Sequence, residues 1–339
     1  MVKGYTFSDV LIIPKYSEII TRSDVDVTSN FNSFSLKLPI FAANMKTICG
    51  PNMAIEMYNN GGMGVLHRFC TIEQAVKDFK NVSMNLPFNE THNVSVSIGV
   101  QEADKERFDK LYEAGAKIIC IDIAQGHHVL MKNMVKWICE KNLKDVVIIA
   151  GNIVTKEAIY DLTSWGVNIC KCGIGGGFAC RTRKYVGVGY PQLSTLENIR
   201  DYIDKCRLNV KIISDGGITN SGDICKAMKF ADGVMIGNLI SGTTETPGNV
   251  FEDAKGHFYK VYSGSASGES KFNNNQSIDH IEGITTQVPF RGKVKYILKK
   301  CKESLQSAFS YVGAKNLEEF KNKCEFVELS NGAKQESAL

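Results

Sequence analysis

Eight short runs of apolar, β-favouring residues punctuate the chain. They lie at 38–42 (LPIFA), 63–66 (MGVL), 94–98 (VSVSI), 117–121 (KIICI), 146–150 (VVIIA), 168–171 (NICK), 210–213 (VKII) and 233–236 (GVMI). Each is nearly continuous in apolar residues, as expected for strands covered on both faces. Most intervals between them carry apolar residues at helical spacing, as at 106–114, 129–141 and 157–164. Strand and helix in alternation predict a parallel sheet, and eight such units predict closure into an α/β (β/α)8 barrel. The apolar stripe of 293–312 predicts a further helix, packed on the barrel or on a neighbouring copy. The expected organisation is one catalytic barrel domain over 1–315, with an N-terminal arm, a flap at about 262–290 and this helix. Residues 316–339 read as a C-terminal tail whose polar end, from 330, is expected to fray.

In such a barrel the chemistry sits at the C-terminal ends of the strands. Just past the runs stand Asn44, then His67 and Arg68, then Gly99, Asp122, and Gly151 with Asn152. The last three runs lead into the loop 173–180, into Asp215-Gly216-Gly217, and into Gly237-Asn238. Loops after the seventh and eighth strands commonly cradle a phosphate, because glycines let backbone N–H groups approach an oxyanion. Gly216, Gly217, Gly237 and Asn238 are therefore candidate phosphate binders. Asp215 would repel a phosphate and suits ribose hydroxyls one group further along the ligand.

The longest interval, between the sixth and seventh runs, contains CGIGGGFACRTR (172–183). Long loops in compact domains are commonly functional. Cys180 follows the glycines, with Arg181 and Arg183 in the same stretch. Basic neighbours and free backbone N–H groups favour a nucleophilic thiolate, so Cys180 is the candidate nucleophile. The hydroxyl of Thr182 is near enough in sequence to share its site, but a hydroxyl alone is a poor base and needs a carboxylate.

Bulk properties narrow the class without deciding it. The 339 residues suit a barrel with added segments, and 43% hydrophobic with 22% charged residues is ordinary for a globular protein. A net charge of +4 gives no sign of a nucleic-acid-coating surface, and no apolar run approaches the ~20 residues of a membrane span. Eleven cysteines without a Cys-x-x-Cys pair fit a reducing, cytoplasmic setting in which most are small buried hydrophobes.

Together these stretches resemble the IMP dehydrogenase / GMP reductase family. The resemblance runs from FSDVLIIPKYS (7–17) and TRSDVDV (21–27) through PIFAANM (39–45), CIDIAQGH (120–127), AGNIVT (150–155), GIGGGFACRTR and GVGYPQLS (187–194). It continues in SDGG (214–217), in MIGNL and the following residues (235–248), in YSGSAS (262–267) and in SYVGA (310–314). The chain passes from LHRF (66–69) to VSVSIG without room for the regulatory CBS pair that many dehydrogenases insert there. Between Ser267 and Glu282 there is neither the Arg nor the Tyr of the dehydrogenase flap. These features, with GVGYPQLS, favour the reductase branch. The implied reaction is NADPH-dependent reductive deamination of GMP to IMP and ammonia through a covalent thioimidate on Cys180. The alternatives are an IMP dehydrogenase without CBS modules and a non-catalytic purine-nucleotide-binding barrel.

Carried over residue by residue, the resemblance pairs Thr182 with Glu282 as the proton relay. It sets the base against Gly264, Ser265, Ala266, Asp279 and Gly283. It sets the cofactor against Arg68, Asp122, Ile123, Ala124 and Gly175, with Thr21, Arg22, Tyr311, Val312 and Gly313 supplied across a subunit boundary. It implies a monovalent cation, potassium, on carbonyls of Gly175, Gly177 and Cys180, and a homotetramer. The chain departs from the family pattern at four positions. Gly176 replaces a Pro or Ser, and Phe178 replaces a side chain that touches the phosphate. Asn238 stands where Ser or Gly is usual, and Asp279 where a basic residue is common.

Overall fold

Eight parallel strands close on themselves in the computed structural model, which describes residues 3–87, 93–268 and 279–336. They are β1 (Ile40–Ala42), β2 (Met63–Leu66), β3 (Ser95–Ile98), β4 (Ile118–Asp122), β5 (Val147–Ile153), β6 (Ile169–Cys172), β7 (Lys211–Asp215) and β8 (Gly233–Ile236). Each pairs in parallel with the next, and β8 pairs with β1 through Val234–Ile40, Met235–Phe41 and Ile236–Ala42. Every expected run lies on one of these strands. Their side chains are almost all buried, Ser95 and Ser97 of β3 included, which is why most of the sequence runs are continuous in apolar residues.

Helices α1 (Pro51–Asn59), α2 (Ile72–Met84), α3 (Glu102–Glu113), α4 (Val129–Glu140), α5 (Lys156–Trp165), α6 (Gln192–Cys206) and α7 (Ser221–Ala227) fill the crossovers. Their starts are set by side-chain caps: Thr71 accepts from Gln74 N, Thr155 from Ala158 N and Asn220 from Asp223 N. Helix α8 (Val294–Tyr311) packs between α7 and α1, so the stripe at 293–312 is the eighth barrel helix. Its buried residues Val294, Leu298, Cys301, Leu305 and Phe309 follow a three-to-four spacing.

Two additions surround the barrel. Between β8 and α8 an antiparallel sheet of Phe251–Glu252, Phe258–Ser263 and Thr285–Pro289 stands over the mouth. Lys260 pins it there, its buried Nζ donating to Thr243 O at 3.0 Å and Thr246 O at 2.6 Å. The expected flap begins and ends on this sheet; its middle, 269–278, lies outside the described residues. The second addition joins the chain ends: Val10–Ile12 pairs antiparallel with Phe326–Glu328. The stretch read as a tail is therefore structured up to Glu328. Leu317–Lys323 is a helix that buries Phe320 in a stacked contact with Phe309, ring centroids 4.2 Å apart. Asn331–Glu336 is a short helix as well, and 337–339 lie outside the described residues.

A charge cluster ties this segment to the barrel. Asp232, 6% exposed, accepts from Arg200 Nη2 at 2.8 Å, Lys321 Nζ at 2.7 Å and the backbone N of Ile212 at 2.8 Å. Burial alone would push its carboxyl up, but Lys321 and Arg200 outweigh burial and hold it below the ordinary carboxylate value. Burial also pushes the Lys321 ammonium down. Arg200 adds a second cation on the same carboxylate, through its Nη2 contact to Oδ2. A group with a depressed folded pKa stabilises above its unfolded value and loses that stability as pH falls through the folded one. The contribution is thus present above about pH 4 and lost below it. Asp232→Ala is expected to cost about 3–5 kcal/mol, the usual effect of stranding buried partners. Denaturant unfolding checks it: a loss under about 1 kcal/mol would place the pair with surface ion pairs instead.

Candidate active site

The loop after β6 is shaped by glycine. Gly173 sits at φ +144°, and a Cβ there would lie 2.0 Å from Asp215 O, so no side chain fits. This close approach lets residues 173–180 lie against the end of β7, where Gly217 N donates to Gly176 O at 2.8 Å. The chain then turns, with Cys180 N donating to Gly177 O at 3.0 Å, and presents Cys180 partly exposed.

A strand-like contact brings the flap onto this turn: Cys180 bridges Gly283 in antiparallel sense, and within the flap Ser267 bridges Gly283 in parallel sense. Arg181 N donates to Glu282 O at 2.7 Å and Ile284 N to Ala179 O at 3.1 Å. Glu282, 100 residues on from Thr182, is thereby fixed beside it. The Cys180 thiol donates to Thr182 Oγ1 at 3.2 Å, and Thr182 Oγ1 donates to Glu282 Oε2 at 2.6 Å. A thiol, a hydroxyl and a carboxylate thus form one proton path. Arg183, expected to bias the thiol, donates from Nη2 to Tyr190 O at 2.6 Å and braces the return segment.

The other candidates fall into three groups. Gly264, Ala266 and Gly283 surround the cysteine turn: Gly264 N donates to Ile284 O at 2.9 Å, and Ala266 O accepts from Glu282 N and Gly283 N at 3.1 Å each. Ser265 lies between them, and Asp279 is exposed at the edge of the described flap. Gly216 and Gly217, the candidate cradle, lie against Gly176 and Gly177. Gly237 adjoins it through Tyr262 and Met45. Phe178 is half-exposed, its ring centroid 6.0 Å from that of Tyr262. Asn238 turns inward on its own loop, where its O and Oδ1 both accept from Ser241 Oγ.

The third group splits in two. Asp122, Ile123 and Arg68 stand at the ends of β4 and β2, with Ala124 next in the chain; Ile123 N donates to Gly151 O at 3.0 Å. Thr21, Arg22, Tyr311, Val312 and Gly313 cluster elsewhere, at the end of α8. Arg22 stacks on the Tyr311 ring at 5.1 Å and donates to Ser307 Oγ at 3.2 Å. The described contacts join neither Arg22 nor Tyr311 to the cysteine turn.

One central residue escaped the sequence reading. Lys171 on β6 is buried with its Nζ 2.6 Å from Asp122 Oδ1 and 3.1 Å from Asp215 Oδ2. The signal was a lone lysine inside an apolar strand, where an unpaired ammonium is intolerable. Burial pushes this ammonium down, but Asp122 and Asp215 more than reverse it and hold it well above the usual lysine value. Asp122 in turn lies below the ordinary carboxylate value because Lys171 and Arg68 outweigh its burial. His67 differs: burial, with Lys46 and Arg107 nearby, pushes its imidazole down to about 4. It is neutral near pH 7, and since Nδ1 accepts from Phe69 N at 3.2 Å the ring proton belongs on Nε2.

Comparison with known proteins agrees with this geometry. The family described as IMP dehydrogenase / GMP reductase domain matches residues 4–339. A GMP reductase of Ligilactobacillus salivarius is 36% identical over 319 residues, covering 92% of this chain and 93% of that protein. An inosine-5'-monophosphate dehydrogenase of Cryptosporidium parvum is 32% identical over 384 residues, covering 99% and 94%. Among solved structures, a cysteine-to-alanine variant of GMP reductase from Trypanosoma brucei in complex with guanosine 5'-monophosphate superposes with a TM-score of 0.91 at 27% identity, covering 99% of this chain and 98% of that one.

Proposed function

The chain belongs to the IMP dehydrogenase / GMP reductase family, and from that premise we propose that it catalyses the reductase reaction, GMP to IMP with release of ammonia. The observation that carries the proposal is the Cys180–Thr182–Glu282 path, with donors and acceptors aligned in one direction. Cys180 gives its proton through Thr182 to Glu282 and bonds as thiolate to C2 of guanine. The same path returns a proton to the amino group, which leaves as ammonia, giving a thioimidate on Cys180. Splitting the substitution into two steps is the benefit of covalent catalysis. The 5′-phosphate rests on backbone N–H groups of Gly216, Gly237 and Asn238, with Gly217, whose own N–H is held by Gly176 O, shaping the turn; the ribose rests on Asp215, and the base on Gly264, Ser265, Ala266, Asp279 and Gly283.

The residues present fit a reduced nicotinamide: Arg68 Nε is buried with no hydrogen-bond partner among the described residues, close to the Asp122 carboxylate. Arg68, Asp122, Ile123, Ala124 and Gly175 would hold it, and the Arg22–Tyr311 cluster would meet its adenosine half in a tetramer. A bound NADPH would supply hydride at C2, and Cys180 would then leave as thiolate to give IMP. A potassium ion would be held by the carbonyls of Gly175, Gly177 and Cys180; Gly177 O accepts one hydrogen bond, from Cys180 N, and keeps a second lone pair for a cation.

The assay follows directly. Wild-type protein with GMP should oxidise NADPH and release one ammonia per cofactor oxidised. Reduction of NAD+ by added IMP, without GMP-dependent NADPH oxidation, would assign the chain to the dehydrogenase branch instead.

A further inference from the structure

We propose that Lys171 is a positioning residue that holds the substrate side and the cofactor side of the site on one buried ammonium. The proposal rests on the reading that Asp215 meets the nucleotide ribose and Asp122 the nicotinamide half of the cofactor. Lys171 is at the end of β6, with β4 and β5 on one side and β7 on the other. Its side chain is 2% exposed, while Asp122 and Asp215 are 19% and 20% exposed. The ammonium is therefore sealed beneath two carboxylates that each keep an edge toward the mouth. It binds Oδ1 of Asp122 and Oδ2 of Asp215. Asp215 Oδ2 also accepts from Asn152 Nδ2 at 2.9 Å, and that amide donates to Gly173 O at 2.7 Å. The same network thus reaches the first residue of the cysteine loop.

Two carboxylates sharing one site cannot both stay ionised without a cation between them. Arg68 also acts on Asp122. The other titratable groups near the carboxylates are Cys120, Cys172 and Tyr262. Burial pushes all three up and keeps them neutral, so Lys171 is the cation common to both carboxylates. Its removal leaves the two carboxylates without the cation that both bind, so the ionised pair is harder to hold, and ligands that need it bind less well as pH falls. Because one ammonium serves both, the loss falls on nucleotide and cofactor together. A lysine that only filled space would change the melting temperature and leave ligand affinity and its pH dependence untouched.

The test is Lys171→Gln, with dissociation constants for GMP and for NADPH measured separately across the acid-to-neutral range, well below the variant's melting temperature. Both are expected to weaken at least about tenfold, with an acid limb at least about one pH unit above that of wild type. Wild-type affinities in the folded variant, or loss for one ligand alone with an unshifted limb, would overturn the proposal. If the variant does not fold, Lys171→Gln is made in Asp122→Asn protein, which strands one carboxylate and not two. GMP binding at least about tenfold weaker than in Asp122→Asn alone supports it, and equal binding overturns it. Wild-type protein that binds GMP without turning it over would instead refute the proposed activity and leave this comparison readable.

Discussion

Cys180→Ala protein should lose GMP-dependent NADPH oxidation by at least about a thousandfold while binding GMP within a few-fold of wild type. Among the described residues the nucleophile has no substitute within reach: its turn presents one thiol, and Cys170 and Cys172 are fully buried in β6. Burial pushes the Cys172 thiol well up, and Cys170 likewise. Removing Sγ leaves the glycine contacts of the loop intact, since Cys180 N still donates to Gly177 O and the bridge to Gly283 is made by backbone. The cradle and the base-facing backbone should then survive, which is why affinity is retained as turnover is lost. Full turnover in the variant would refute covalent catalysis at this residue.

The second large effect falls on the proton path. Glu282→Gln keeps the shape of the side chain and its backbone contacts to Arg181 and Ala266 but removes the acceptor of Thr182's proton. A positioned acid–base group is worth about a hundred- to ten-thousandfold, and that is the expected loss in kcat. Thr182→Val, close in size but without the hydroxyl, should fall comparably, and Thr182→Ser should stay within about tenfold of wild type. If the two groups form one path, the double variant Thr182→Val/Glu282→Gln should be little worse than either single one. Additive losses would show that Thr182 and Glu282 act separately.

The barrel was legible because buried parallel strands are largely apolar on both faces, and most of the eight runs are; 94–98 alternates with Ser95 and Ser97, and 168–171 ends on Lys171. Strand ends were less legible. The fifth run stops at Ala150, yet β5 continues to Ile153, because Gly151 and Asn152 enter an irregular pairing with β6 that hydropathy does not register. The segment after 316 looked like a tail because it is short and rich in charge. Its order depends on buried Leu317, Phe320 and Cys324, on the Lys321 contact to Asp232 and on a pairing with the distant Val10–Ile12. The cysteine and its glycine loop could be read as a site from local chemistry alone. The Thr182–Glu282 contact could not, since the flap sheet that makes it folds back from the far side of β8; only the resemblance pointed to it. Lys171 was visible in its run but passed over as one more strand residue, for its partners come from two other strands.

One measurement bears most directly on the central claim that Cys180 attacks the purine. Protein incubated with GMP and an oxidised or otherwise non-reducing cofactor analogue is quenched in acid and examined by intact mass spectrometry, then by peptide mapping. The expected result is an added mass equal to GMP less ammonia, located on the peptide that contains Cys180 and absent from Cys180→Ala protein. NADPH oxidation by GMP in the wild type with no such adduct, or an adduct on another cysteine, would contradict it.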